Sequence, residues 1–312
     1  MPDKIINRIG GGLGNQMFIY ALGERLAREL GVPQVFDTTD FFVFKYLVPC
    51  GVHARKFELY SFKGPRKYGK WWARYLFLLV WIIGKKIGWG VFERLLRLVG
   101  MHWRHSDDPF CPVFAEIPQD CRAVYCSGIN CAPHLMPDRK VLMEEFTLAH
   151  PLNGEPKKLE GAIRGSESVS IHVRRTDYLI QPTPWDIPFS YYEKAIEQIK
   201  GAVQNPKWFV FSDDAAWCKR QFAPYLNDFT VVEGNVPSVD LYLMSQCRHH
   251  IIANSTFSWW GAYLAPDTSG MTLCPEYWGP YVDTLPETFY PAWWKKVGCD
   301  PPRNPLQRDA PA

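Results

Sequence analysis

The feature that most limits the folds open to this chain is a regular alternation that begins at Ser168. Strand-length runs SVSIHVR, KWFVFS, FTVVEG, HIIAN and MTLCPE are separated by helix-length segments SYYEKAIEQIKG, AAWCKRQFAPYL, SVDLYLMSQCR and STFSWWGAYLA. Strands joined through helices lie parallel, in a sheet covered on both faces. That pattern predicts a Rossmann-like domain, in which ligands sit outside the carboxyl ends of the strands. The amino-terminal end starts the same way, with strand KIINRI, loop GGGLGNQ, helix MFIYALGERLARELG and strand PQVFDT. The expected architecture is α/β, two Rossmann-like domains facing a cleft. Residues 1–156 form the first domain with a helical insertion, residues 157–290 the second, and residues 291–312 a tail whose end is Pro-rich and charged.

Within the stretch SVSIHVRRTDYL, Val169, Ile171 and Val173 alternate with Ser168, Ser170, His172 and Arg174. This is the period of a strand with two different faces. Arg174 and Arg175 follow where the strand should end, and two guanidinium forks at neighbouring positions suit phosphate or carboxylate oxygens. An arginine pair bridged to Asp177 at a surface fits the same residues equally well.

Three further segments carry polar chemistry. In HHIIANSTFSWWGAYLA, Asn254, Ser255, Thr256, Phe257 and Ser258 stand where a strand gives way to a helix, a place suited to an anion. Simple capping by Ser255 or Thr256 would need only one of those hydroxyls. In FVFSDD, Asp213 and Asp214 follow a strand and suit a ribose, a base, a metal or a helix cap, although no D-x-D spacing favours metal. The loop GGGLGNQ, with Gly12, Gly14, Asn15 and Gln16, fails the dinucleotide fingerprint because Asn15 and Met17 stand where the third glycine is required. Asp37, at the end of the next strand, keeps a nicotinamide or flavin oxidoreductase in view, and Asn15 and Gln16 would supply polar contacts at the cleft mouth.

Composition narrows the classes. With 35 basic against 32 acidic residues and no long run of either sign, a broad nucleic-acid surface is excluded. The nine cysteines are an odd, scattered set, which points to a reducing compartment. Cys121, Cys126 and Cys131 lack the close pair that zinc sites use, so they read as buried thiols. No apolar stretch of signal length precedes the glycines, so the expected location is cytoplasmic. Residues 71–100 are rich in Trp and flanked by Lys, but their uninterrupted apolar run covers only nine residues, far short of a spanning helix. They read first as a buried helical hairpin and second as a peripheral membrane contact.

The segments GGLGNQMF, SIHVRRTDYL, FVFSDD and DLYLMSQCRHHIIANSTFSWWGAYL, in that order, resemble the motifs of the bacterial and animal α-1,2-fucosyltransferases. The H-x-R-R-x-D core is also shared with α-1,6- and protein O-fucosyltransferases, so an α-1,6 linkage stays as an alternative. The resemblance implies a GT-B-like fold, GDP-fucose as donor, no metal or other cofactor, and inversion at the fucose anomeric carbon. It implies that Arg174 and Arg175 grip the diphosphate, that His172 and Asp240 contact guanine, and that Asn254, Ser255, Thr256, Phe257 and Ser258 line the donor pocket. Asp213 and Asp214 would shape the nucleotide side, while Gly12, Gly14, Asn15 and Gln16 form a cleft loop with Asn15 toward the reacting centre. Asp177 and Asp186 are the carboxylates available for the acceptor proton. The implied acceptor is a galactose-terminated oligosaccharide or lipid-linked glycan. Trp185, Tyr191 and Tyr192 suit stacking on its sugars and suit a place in the core equally well. A sugar-nucleotide-binding protein without transfer is the reading to set against it.

Overall fold

The computed structural model describes residues 1–41, 55–64, 88–105, 120–127, 133–179, 186–276, 278 and 285–299. The chain forms two compact units, Met1–Ala149 and His150–Ala312. In the first, β1 (Lys4–Arg8), α1 (Leu13–Leu30) and β2 (Gln34–Asp37) open the unit. They are followed by α2 (Trp89–Leu98), β3 (Met101–His105), β4 (Ala123–Ser127) and α3 (Arg139–Glu145). The four strands are parallel in the order β2-β1-β4-β3. Helix α1 lies so close to the sheet that a Cβ on Gly23 would fall 1.7 Å from Asn7 Nδ2, so only glycine fits there.

Helix α1 begins at Leu13, earlier than the sequence reading placed it, so Gly14, Asn15 and Gln16 stand in its first turn rather than in a loop. The Gln16 amide already donates to Gly12 O at 3.0 Å, and the hydrogen-bonding turn outweighs the loop preference of Gly and Asn. Helix α2 settles part of the 71–100 segment: Phe92 and Leu96 are buried against Ile6, Ala123 and Tyr125, the packing of a core element. The apolar run 75–83 and the tail from 300 onward lie outside the described residues.

The second unit contains α4 (Gly154–Arg164), β5 (Ser168–Val173), α5 (Phe189–Ala202), β6 (Lys207–Ser212) and α6 (Ala215–Phe222). It continues with β7 (Phe229–Val232), α7 (Pro237–Ser245), β8 (His249–Ile251), α8 (Thr256–Tyr263), β9 (Thr272–Pro275) and β10 (Lys295–Val297). Its six strands run parallel in the order β10-β9-β8-β5-β6-β7. Both faces are covered, as a parallel sheet requires. Val169, Ile171 and Val173 of β5 enter a core with Tyr191, Ile196 and Phe222, while Phe209 and Phe211 of β6 meet Ile163, Leu243 and Met244 on the other side.

Two corrections follow. Helix α4 begins before residue 157 and belongs with the second unit, against which it packs through Ile163. Residues 295–297, expected in a tail, pair with β9 as the edge strand, because Val297 has an apolar core to enter. Among the described residues no helix is long and apolar enough to cross a membrane.

Candidate active site

In the second sheet the chain runs outward from β5 through β6 and β7, then returns to β8 on the other side of β5. Such a reversal opens a crevice at the carboxyl ends of the two strands flanking it. The end of β5 supplies Arg174 and Arg175, the end of β6 supplies Asp213 and Asp214, and the end of β8 leads through Asn254 and Ser255 into α8.

The two arginines are held differently. Arg174 Nε stands 2.8 Å from Asp177 Oδ1, its Nη2 donates to Asp177 Oδ2 at 2.8 Å, and its Nη1 lies 3.3 Å from Asp213 Oδ2. Burial works against that charge, but Asp177 and Asp213 outweigh it and hold the guanidinium firmly protonated. Arg175 turns its guanidinium onto the Trp217 ring, 3.9 Å from the centroid, and donates from Nε to Asp214 Oδ2 at 3.3 Å. So the pair does not fork around one object. Arg175 instead clamps the β5 turn to the start of α6, where Asp214 also caps by accepting from the Trp217 amide. Asp213 completes the clamp by accepting from the Arg175 and Thr176 amides at 3.0 and 3.2 Å.

His172 is 3% exposed, and its ring centroid lies 5.4 Å from that of Phe257. Burial, then Arg174, push its pKa down to about 3, so the imidazole is neutral. Its Nδ1 is buried without a hydrogen-bond partner among the described residues. A buried polar atom left in that state is one a ligand would satisfy. The α8 cap residue Ser255 makes no side-chain bond to the helix amides, which leaves the first turn open to an anion. Ser258, in contrast, donates back to Ala253 O at 3.3 Å and Ser255 O at 3.1 Å. Its hydroxyl is therefore not one of three converging on a ligand. Asp240, in the first turn of α7, accepts from Asn235 Nδ2 at 2.9 Å, and burial raises its pKa to about 6.

Two site residues escaped the sequence reading. The Tyr178 hydroxyl donates to Asn254 O at 3.1 Å and ties the arginine turn to the start of α8. Trp217 carries Arg175. Tyr178 follows the arginine motif directly, which was a usable signal; Trp217 is distant in sequence and gave none. Of the two readings open for Tyr191 and Tyr192, core is the one the structure takes, since both are buried and donate to backbone carbonyls, Tyr191 to Ile252 O and Tyr192 to His172 O. Trp185 lies outside the described residues.

In the first unit, Gly11 takes φ 73°, a left-handed conformation suited to glycine, and Gly12 precedes α1 at the carboxyl edge of β1. Gln16 is fully buried and spends its amide on backbone: Nε2 donates to Gly11 O and Lys56 O, and Oε1 accepts from the Glu58 amide. It braces the loop and offers nothing to a ligand, whereas Asn15 is half-buried. Asp37 is equally consumed, with Oδ1 accepting from Thr39 and Oδ2 from the Tyr125 hydroxyl. Buried at 2% exposure and tied to Thr39 and Tyr125, Asp37 is a structural carboxylate, which weakens the feature that kept an oxidoreductase in view. Cys126 is buried and Cys121 partly buried, neither in a disulfide, and Cys131 lies outside the described residues. Among the described residues no three His, Cys, Asp or Glu side chains are grouped to hold a metal ion.

A parallel sheet with a basic switch point beside an open helix start defines a doubly wound α/β protein with a place for an anionic ligand. Residues 145–293 match the model of glycosyl transferase family 11. The chain is 38% identical to an alpha-1,2-colitosyltransferase of Escherichia coli over 152 residues, 46% of this chain and 52% of that protein. It is 30% identical to a galactoside 2-alpha-L-fucosyltransferase of Mus musculus over 311 residues, 94% of this chain and 73% of that protein. Among solved structures, a substituted FUT1 of Arabidopsis thaliana in complex with GDP matches with a TM-score of 0.50 and 12% identity, over 87% of this chain and 70% of that one. That likeness is one of fold, and the two Rossmann-like units are of the GT-B-like kind. The chain belongs to glycosyl transferase family 11. It spans about half the length of the colitosyltransferase it matches.

Proposed function

We propose that the protein transfers fucose from GDP-fucose to a galactose hydroxyl of an oligosaccharide or lipid-linked glycan, forming an α-1,2 linkage with inversion. The observation that carries the reading is Arg174, fixed by Asp177 at the switch point beside the uncapped start of α8. Charge that builds on a departing diphosphate meets a cation and helix amides already in position, so little reorganisation is needed. Losing one such donor costs about 3 kcal/mol, or roughly a hundredfold in rate.

In this reading Asn254, Ser255, Thr256 and Phe257 line the phosphate and sugar pocket. His172 and Asp240 meet the guanine, whose ring N–H groups suit a carboxylate acceptor. Arg175, Asp213 and Asp214 hold the nucleotide side in shape. The first unit, Met1–Ala149, serves the acceptor, with Gly12, Gly14 and Asn15 at the carboxyl edge of its sheet. No metal is required, because the Arg174 guanidinium and the first-turn amides of α8 serve the leaving group.

A second reading, a colitosyl donor in place of fucosyl, is favoured by the higher identity to the colitosyltransferase. The enzyme acts in the cytoplasm. The end of α2 opposite its buried face touches an anionic membrane surface, a reading supported by Leu98 and Val99, 82% and 51% exposed beside Arg94 and Arg97. Co-sedimentation with anionic but not neutral vesicles is expected, and equal recovery from both removes the contact.

The test is incubation with labelled GDP-fucose and lactose, with and without EDTA, followed by linkage analysis of the product. Transfer to the galactose 2-hydroxyl that ignores EDTA is expected. Transfer to another hydroxyl, or loss of activity with EDTA, would contradict the reading.

A further inference from the structure

The carboxyl edge of the first sheet carries a polar group that neither packing nor the donor chemistry uses. There the chain runs from β1 outward to β2, with β4 on the other side of β1, so the reversal lies between β1 and β4. Arg8 ends β1, and Asp40 lies just beyond β2. Their side chains are only 19% and 18% exposed, and a pair so far withdrawn from water costs desolvation.

Arg8 normally has the means to grip a carboxylate with two parallel bonds, one to each oxygen. Here both bonds converge on one atom: Nε donates to Asp40 Oδ1 at 3.0 Å, and Nη2 donates to the same Oδ1 at 2.5 Å. Asp40 Oδ2 accepts no hydrogen bond among the described residues. It faces Gly10, where an added Cβ would stand 3.0 Å from it. The glycine leaves the approach to Oδ2 clear. Burial pushes the Asp40 pKa up against the pull of Arg8, as befits a carboxylate short of donors. Asp37, three residues earlier, shows the contrast, since both its oxygens are engaged.

We propose that Asp40, held by Arg8 and approached past Gly10, is an acceptor-binding residue that takes hydrogen bonds from sugar hydroxyls through Oδ2. A neutral glycan brings O–H donors and no charge, and a carboxylate with a spare oxygen and a fixed partner is a strong acceptor for them. This rests on the glycosyl-transfer reading above and adds the residue that reads the acceptor in the first unit.

The test uses the full-length protein, GDP-fucose as donor and lactose as the probe acceptor. Asp40→Asn is expected to raise the KM for lactose about 10- to 100-fold, the worth of one charged hydrogen bond. The KM for GDP-fucose and the affinity for GDP stay within about twofold. Asp40→Glu, which keeps the charge and the Arg8 pair, is expected to fall between the two. The exchange Arg8→Asp with Asp40→Arg separates structure from binding, because it restores an ion pair while moving the free oxygen. Recovery of melting temperature without recovery of the lactose KM supports the assignment. An unchanged lactose KM in Asp40→Asn, or its full recovery in the exchanged pair, overturns it while leaving the transfer reading intact. Wild-type protein that binds no GDP and moves no sugar removes the transfer reading and this assignment together.

Discussion

Arg174 and Asp177 meet at two points, with Nε 2.8 Å from Oδ1 and Nη2 donating to Oδ2 at 2.8 Å. A guanidinium locked in this way has lost its rotamer freedom before any ligand arrives. In the proposed reading Asp177 acts by positioning Arg174. Asp177→Ala is expected to lower kcat about 10- to 100-fold, the cost of a misplaced group, while GDP affinity changes only a few-fold. Separate kcat and GDP Kd measurements check this, and a parallel collapse of both would contradict it.

Arg175 depends on Trp217 for its place. Trp217→Leu removes the aromatic face under the guanidinium and is expected to cost about 0.5–2 kcal/mol, read as a fall in GDP affinity of about 3- to 30-fold. Arg175→Lys should behave similarly, since an ammonium keeps the charge and loses the planar stack. Calorimetric titration of the two variants with GDP decides the matter.

Gln16 predicts a different pattern. Its amide supports the backbone of Gly11, Lys56 and Glu58 at 3.0, 2.7 and 2.9 Å. Gln16→Ala is expected to destabilise the first unit by about 3 kcal/mol and leave GDP affinity unchanged. Denaturant unfolding and GDP titration on the same sample check both halves of the statement.

Stability should depend on acid through two buried histidines. His172 and His250 are each pushed down to about 3, by burial first and then by Arg174 and His249 respectively. Unfolded histidine takes a proton near pH 6.5, so between about 6.5 and 3 the unfolded chain binds more protons. Stability is then lost as pH falls through that window, at about 1.4 kcal/mol per pH unit for each histidine. Asp240, raised to about 6 by burial, acts in the opposite sense between about 4 and 6. His250→Gln should lose less stability than wild type between pH 7 and 5, by about 2 kcal/mol. Urea midpoints at the two pH values measure the difference, and identical losses would contradict it.

Much of the second unit was legible because local pattern and tertiary demand agree there. The alternation in β5 follows its two buried faces, and KWFVFS is a strand from Lys207 to Ser212 because both faces of β6 are covered. The location of the anion-ready site also follows from the sequence, since a parallel sheet puts strand ends and helix starts on one edge. What each polar group touches did not. Arg175 is committed by Asp214 and Trp217 from another loop, and Gln16 by Lys56 and Glu58 from a segment 40 to 42 residues away. No local rule names partners at such separations. Strand β10 was missed because three residues carry too little periodicity, and only its pairing with Leu273, Cys274 and Pro275 makes it a strand.

The most direct measurement is calorimetric titration of wild-type protein and Arg174→Ala with GDP and with UDP, in EDTA. The account predicts that wild type binds GDP without metal and discriminates against UDP, and that Arg174→Ala remains folded with GDP binding weakened about 10- to 100-fold, the worth of one charged hydrogen bond. Equal binding of GDP and UDP, or an Arg174→Ala variant that binds GDP as wild type does, would contradict a guanine nucleotide held at the switch point of the second sheet.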